Sequence, residues 1–254
     1  PVPNYDRRAF REAFVNALVH RDYSMLGAVH VKLDDDGLNI SSPGGFIDGV
    51  NFKNLLVVSP RSRNPLLADI IKRVGLAERT GRGIDLIFEG MLRYGRPAPD
   101  YSLSNRYTVS LNLSNTAPDV AFLKMVVEHE NKLGGLPIDS LIILSRLRDE
   151  RRLTTADFVE SVQKPETSVR ATIERLVEIG LLESHSTGRG RTYTLSAQLY
   201  QSAGQQAEYI RQAGFSPIQH EQMVLNYIDK HGAIQRAGAA DLCRISPQQA
   251  TRLL

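Results

Sequence analysis

Apolar residues recur at intervals of three and four over residues 6–20, which predicts an opening helix with Asn4 or Asp6 free to cap its first amides. Phe10, Phe14, Ala17 and Leu18 lie along that helix as its expected buried face. The period then changes to two. Val29, Val31 and Leu33 point one way across residues 28–33, and His30 and Lys32 the other. Asp34-Asp35-Asp36-Gly37 turns the chain into Leu38-Asn39-Ile40, so a hairpin is expected, and the acidic triplet reads as a solvated tight turn. Helical spacing returns at Leu67, Ile70, Ile71 and Val74, within a helix over 64–74, and again over 84–94. Gly95-Arg96-Pro97-Ala98-Pro99 breaks that last helix, and residues 107–113 alternate as a closing strand. The order predicts an α+β domain over residues 1–113, with helices layered on a mostly antiparallel sheet.

Residues 114–119 have linker composition, and 114–137 reads as a linker and connecting helix. Helices are then expected over 140–148, 154–162 and 165–178, the last opened by Pro165 and closed by Gly180. Two short strands, 181–184 and 191–195, flank Thr187-Gly188-Arg189-Gly190. Three helices and a hairpin in that order predict a winged helix-turn-helix domain over 138–200. A second, truncated winged-helix-like domain is expected over 216–254, with helices over 217–231, over 236–243 and from Ser246 onward. Its Ser246-Pro247-Gln248-Gln249-Ala250 parallels Lys164-Pro165-Glu166-Thr167-Ser168.

Composition narrows the class without naming a function. The 254 residues are 42% hydrophobic and 23% charged, which suits two or three small globular domains. No apolar run approaches the roughly 20 residues a membrane-crossing helix needs, and Pro1-Val2-Pro3-Asn4 lacks the features of a secretory signal, so a cytoplasmic location is expected. The start without Met and the end inside a predicted helix suggest a fragment. A single cysteine, Cys243, leaves no intrachain disulfide and is expected to be a buried small hydrophobe. Residues 1–113 hold 15 Lys and Arg against 12 Asp and Glu, and residues 114–254 hold 16 against 16. Any DNA contact in the second half must therefore come from basic groups gathered on one surface.

Candidate chemistry begins on the first helix. Glu12, Asn16 and His20 are spaced i, i+4, i+8 and form one polar stripe beside apolar neighbours, a pattern suited to lining a pocket. Glu12 and Asn16 resemble the N box of ATPases of the histidine-kinase, Hsp90 and gyrase type. With His20-Arg21-Asp22-Tyr23, Ser42-Pro43-Gly44-Gly45, Arg63-Asn64-Pro65 and Thr80-Gly81-Arg82-Gly83-Ile84 following in order, residues 1–113 resemble the C-terminal domain of the RecG-related family of transcriptional regulators. The resemblance implies an ATPase-like α/β sandwich, ATP and Mg²⁺ as ligands, and often an upstream Alba-like or Schlafen-like domain. It implies Glu12 as the water-positioning base, Asn16 as a magnesium ligand, and His20 as a phosphate or lid contact. Gly81, Arg82 and Gly83 would correspond to the glycine-rich phosphate loop, although a glycine turn between two helices explains them equally well.

Several features depart from that ATPase pattern. The Asp-x-Gly-x-Gly box that meets adenine is absent, with Ser42-Pro43-Gly44-Gly45 in its place and Asp48 out of spacing. Residues 46–63 are short for a lid, and Ser59-Pro60-Arg61-Ser62-Arg63 reads either as an anion-binding or as a packing loop. No Gly-x-x-x-x-Gly-Lys-Ser/Thr motif occurs, so helicase activity is not implied.

In the winged-helix region, Thr167, Ser168, Arg170 and Arg175 on the third helix, with Arg189 and Arg191 on the wing, are the expected DNA contacts. Glu166 and Glu174 on the same helix oppose DNA and keep a protein-interaction role open. The sequence thus reads as a transcriptional regulator that binds double-stranded DNA as a homodimer. Two alternatives stand beside it: an Mg-dependent ATPase whose winged helices bind partner proteins, and a non-catalytic dimerisation scaffold.

Overall fold

The computed structural model describes residues 5–77, 81–133, 135–150, 152–185, 190–196, 224–225, 227–228, 232–243 and 250–251. The chain divides into two compact units, residues 1–195 and 196–254.

The first unit opens with α1 (Arg7–Val19), whose Asp6 side chain accepts from the backbone N–H of Arg8 at 2.8 Å and of Ala9 at 3.1 Å. Strands β1 (His30–Asp34) and β2 (Gly37–Pro43) form the expected hairpin, with Asp34 facing Gly37 across a two-residue turn. β3 (Thr108–Ser114) adds antiparallel to β2, giving the order β1-β2-β3. Helices α2 (Pro65–Arg73) and α3 (Gly83–Leu92) intervene, and α1 packs on both α3 and β2. Ile87, Met91, Leu92, Ile40 and Leu113 are buried there.

The buried face of α1 differs from the expected one. Ala9, Glu12, Ala13, Val15 and Val19 are buried, whereas Phe10 and Phe14 are 39% and 37% exposed and stack on the outside with centroids 6.3 Å apart. Close helix approach explains the choice. A side-chain carbon added to Gly90 of α3 would come within 2.5 Å of the Ala9 methyl, so only small residues fit that seam. Similarly, the apolar stripe of α2 stays open, with Leu66, Ile70 and Val74 exposed.

Continuing through the same unit, α4 (Val120–Leu133) leads to α5 (Ile138–Glu150), β4 (Leu153–Thr154), α6 (Thr155–Val162), α7 (Glu166–Glu178), β5 (Leu182–His185) and β6 (Thr192–Leu195). The three short strands form an antiparallel sheet in the order β4-β6-β5. α6 starts at a capping box in which the Thr154 N–H donates to the Asp157 carboxylate at 2.7 Å. Phe158, Val162, Val169, Ile173, Leu176 and Tyr193 are buried in this part of the unit, and α5 packs against α3.

In the second unit, α8 (Arg236–Cys243) coincides with the helix expected over 236–243. Val224, Ala239, Cys243 and Ala250 are buried together there, so Cys243 is a buried thiol as expected. Most of the helix expected over 217–231, and most of that from Ser246, lie outside the described residues.

Candidate functional site: a polar-walled cavity beside α1

A cavity of about 390 Å³ is bounded by α1, the segment between β2 and α2, α2 itself, and the start of α3. The polar stripe reaches its wall as expected: Glu12, Asn16 and His20 all line it. Gly81 and Gly83 line it too. At Gly83 the missing side chain matters, because a Cβ there would sit 3.1 Å from Glu12 Oε2 and 3.6 Å from Asn16 Nδ2. Glycine thus lets the first turn of α3 approach the two polar groups. Arg82 does not line the cavity. It pairs with its own helix, 3.6 Å from Asp85 and 3.2 Å from Glu89.

Three of the sequence motifs build the frame around this cavity. Arg21 donates to the carbonyls of Asp22, Met25 and Gly27, fixing the turn that follows α1. Asn64 donates from Nδ2 to the carbonyls of Val19 and Arg21, both at 2.8 Å, and so satisfies acceptors at the end of α1. Arg63 donates to the Gly45 carbonyl at 2.7 Å and lies 3.8 Å from the Asp22 carboxylate. The Ser42 hydroxyl donates to the Ala17 carbonyl at 2.7 Å. The Ser42-Pro43-Gly44-Gly45 loop is therefore locked between α1, Arg63 and β3, since Gly44 N–H also donates to the Tyr107 carbonyl at 2.7 Å.

Two cationic residues, of which sequence reasoning missed Lys72, complete the wall. Arg61, from the loop read as either anion-binding or packing, and Lys72 of α2 line the cavity. Ser62 beside Arg61 has a buried hydroxyl with no hydrogen-bond partner among the described residues. Phe46 and Tyr101, with ring centroids 6.1 Å apart, and Ile40, Val109 and Leu111 supply an apolar side. The carboxylates among the described lining residues are Glu12, 2% exposed, and Asp85. Burial pushes the Asp85 carboxyl above its ordinary value, against the attraction of Arg82. The signal for Lys72 was its position: four residues after Ala68, it falls on the same face of α2, and both line the cavity.

Burial, reinforced by the nearby Arg63 charge, holds the His20 imidazole below its ordinary value of 6.5. As pH falls through that value the unfolded chain takes up the proton first, so His20 contributes stability that is lost on acidification. Between about pH 7 and pH 5.5 the urea midpoint should fall more steeply for the wild type than for His20→Gln. Equal slopes would place the pH dependence on other groups.

On α7, Thr167, Ser168, Arg170 and Arg175 are all exposed. Arg170 is held by Glu166 at 2.7 Å. Arg191 stacks over the Tyr193 ring, 5.4 Å from its centroid, while Arg189 lies outside the described residues.

Residues 27–112 match the family described as "Putative ATP-dependent DNA helicase recG C-terminal", and residues 140–245 match the family described as "Penicillinase repressor". The first match begins after α1, so Glu12, Asn16 and His20 lie outside it. No curated protein matches the chain. Among solved structures, the DIP2311 protein from Corynebacterium diphtheriae is similar in fold, with 24% identity, a TM-score of 0.67 and coverage of 80% of this chain and 43% of that one. The chain thus spans less than half the length of that relative. No helix among the described residues is long and apolar enough to cross a membrane. A RecG C-terminal-like ATPase-type segment is thus followed, in one chain, by a segment similar to penicillinase repressors.

Proposed function

We propose that this chain belongs to a cytoplasmic transcriptional regulator that binds double-stranded DNA as a homodimer and responds to a phosphate-bearing nucleotide, ATP with Mg²⁺, in the cavity beside α1. The reading rests chiefly on the composition of that cavity. Oxygen donors of α1 share the cavity with Arg61 and Lys72, which have no ion pair among the described residues, and with an apolar and aromatic side that suits a base.

The residues present fit the group. Asn16 and Glu12 offer the hard oxygen donors that magnesium takes, usually one or two from protein. Arg61, Lys72 and the buried Ser62 hydroxyl would meet phosphate oxygens, and the glycines at 81 and 83 leave room for backbone amides to do the same. When bound, the metal supplies charge neutralisation at the phosphates. Phe46, Tyr101 and Ile40 would cover the base, since the carboxylates among the described lining residues are Glu12 and Asp85, on α1 and α3. Glu12 is the group suited to hold a water beside the phosphates, so slow hydrolysis is compatible with this role.

For DNA, the α5–α7 helices with the β5–β6 hairpin act as a winged helix, α7 being the reading helix and Arg191 the wing cation. The similarity to penicillinase repressors over 140–245 supports this. Because Arg170 is already paired with Glu166, Arg175 and Arg191 should carry more of the phosphate attraction. Two copies would present two reading helices to paired half-sites.

Titration calorimetry of Mg-ATP into the chain tests the cavity. Asn16→Ala should weaken binding by about 10–100-fold, the size expected for losing one contact to a charged ligand. Unchanged affinity in the variant would reject the site. For DNA, Arg175→Ala combined with Arg191→Ala should lower the salt slope of binding by about 2, one per lost phosphate contact. An unaltered slope would move the interface elsewhere.

A further inference from the structure

Gln163 is the one non-glycine residue with a positive φ, 59°, among the described residues, and it occupies the turn between α6 and α7. A side chain in that conformation costs about 1 kcal/mol or more, so surrounding contacts must hold it there. They come from the cavity segment. Gln163 Oε1 accepts from the Leu56 N–H at 2.9 Å, and its Nε2 donates to the Phe52 carbonyl at 3.0 Å. The carboxamide therefore closes a bracket across residues 52–56. Lys53 Nζ, inside the bracket, lies 2.9 Å from the Glu160 carboxylate of α6. Leu55 and Leu56 in turn line the cavity.

Behind the turn, Lys164 lies 2.6 Å from Asp139 of α5. Pro165 follows and precedes the first residue of α7. The start of α7 is thus held on one side by α5 and on the other, through Gln163, by the wall of the cavity. We infer that Gln163 couples the cavity to α7, so that a ligand fixing residues 52–58 also fixes the first turn of the reading helix. The part of this inference that concerns the ligand rests on the nucleotide reading above. A ligand shifts such an equilibrium only through contacts that differ between two states, and the 52–58 segment is where those contacts meet the bracket.

Hydrogen exchange read by mass spectrometry on the full chain tests the coupling, with and without saturating Mg-ATP. Gln163→Gly removes the bracket while easing the backbone, and Gln163→Asn tolerates the same φ but is one methylene too short to span both groups. Without ligand, both variants should exchange roughly 3–10-fold faster over 51–58 and over 163–169, the loss expected for one or two hydrogen bonds. With Mg-ATP, the wild type should slow over both segments and the variants over 51–58 alone. Equal slowing of 163–169 in the variants, or ligand-free variants unchanged over 163–169, would overturn the coupling. Mg-ATP slowing neither segment in the wild type would reject the nucleotide reading, while the ligand-free comparison would still decide whether Gln163 joins the two segments.

Discussion

Truncating Phe158 to Ala should lower the stability of the first unit by about 3–5 kcal/mol, read as a drop in the urea midpoint. The ring is 0% exposed on α6, in a part of the unit where Val162, Val169, Ile173 and Leu176 are also buried. Its loss removes the transfer energy of a full aromatic side chain and leaves a void, and how far the void closes sets the value within that range. Closure is restricted here because the Thr154–Asp157 box fixes the start of α6 and the Gln163 bracket fixes its end. Phe158→Leu keeps most of the volume and should cost less than about 1.5 kcal/mol. Against a total of about 5–15 kcal/mol for an ordinary domain, the alanine variant consumes a large share. Because α7 packs on α6, the DNA affinity proposed above should fall with it. A loss below about 1.5 kcal/mol would mean that this interior is loosely packed.

How far the chain can be read from sequence differs between its periodic and its tertiary features. The Glu12, Asn16 and His20 stripe was legible because a helical interval of four is a local property, and α1 with its C-terminal cap carries all three to the cavity wall. Which flank of that helix goes inside was not. Hydrophobicity ranks Phe10 and Phe14 above Ala9 and Ala13, but Gly90 on a distant helix brings the backbones close and selects the small residues. Likewise Arg21, Arg63 and Asn64 stood out as motif residues, and the structure shows that their hydrogen bonds hold loops. Arg61 was left between two readings by its loop, and the cavity wall it shares with α2 is a tertiary feature that the local sequence does not carry. Gln163 carried no signal at all. Its left-handed backbone and its two bonds exist only because residues 52–56 come to meet it.

The Asp34–Gly37 turn joins the legible to the hidden, and it yields the other large expected effect. Sequence reading expects glycine at the end of that turn for its conformational freedom, and Gly37 does have a φ of 141°. The structure adds a second constraint. A Cβ on Gly37 would lie 2.3 Å from the Leu113 carbonyl oxygen and 3.1 Å from Asn115 N, both backbone atoms of the neighbouring chain segment. Neither can swing aside as a side-chain tip could, because Gly37 faces Ser114 in the β2–β3 ladder and Leu113 is buried. Gly37→Ala should therefore cost about 3–5 kcal/mol, combining a backbone strain of about 1–3 kcal/mol with displacement of β3. Gly135→Ala separates the two contributions. Its φ is 115°, yet nothing among the described residues lies within 4 Å of the added carbon, so it should show strain alone, about 1–3 kcal/mol. Urea denaturation of both variants decides the matter. A Gly37→Ala loss clearly larger than that of Gly135→Ala assigns the excess to the Leu113 contact, whereas equal losses would mean that β3 yields without cost and that glycine is required there for its φ alone.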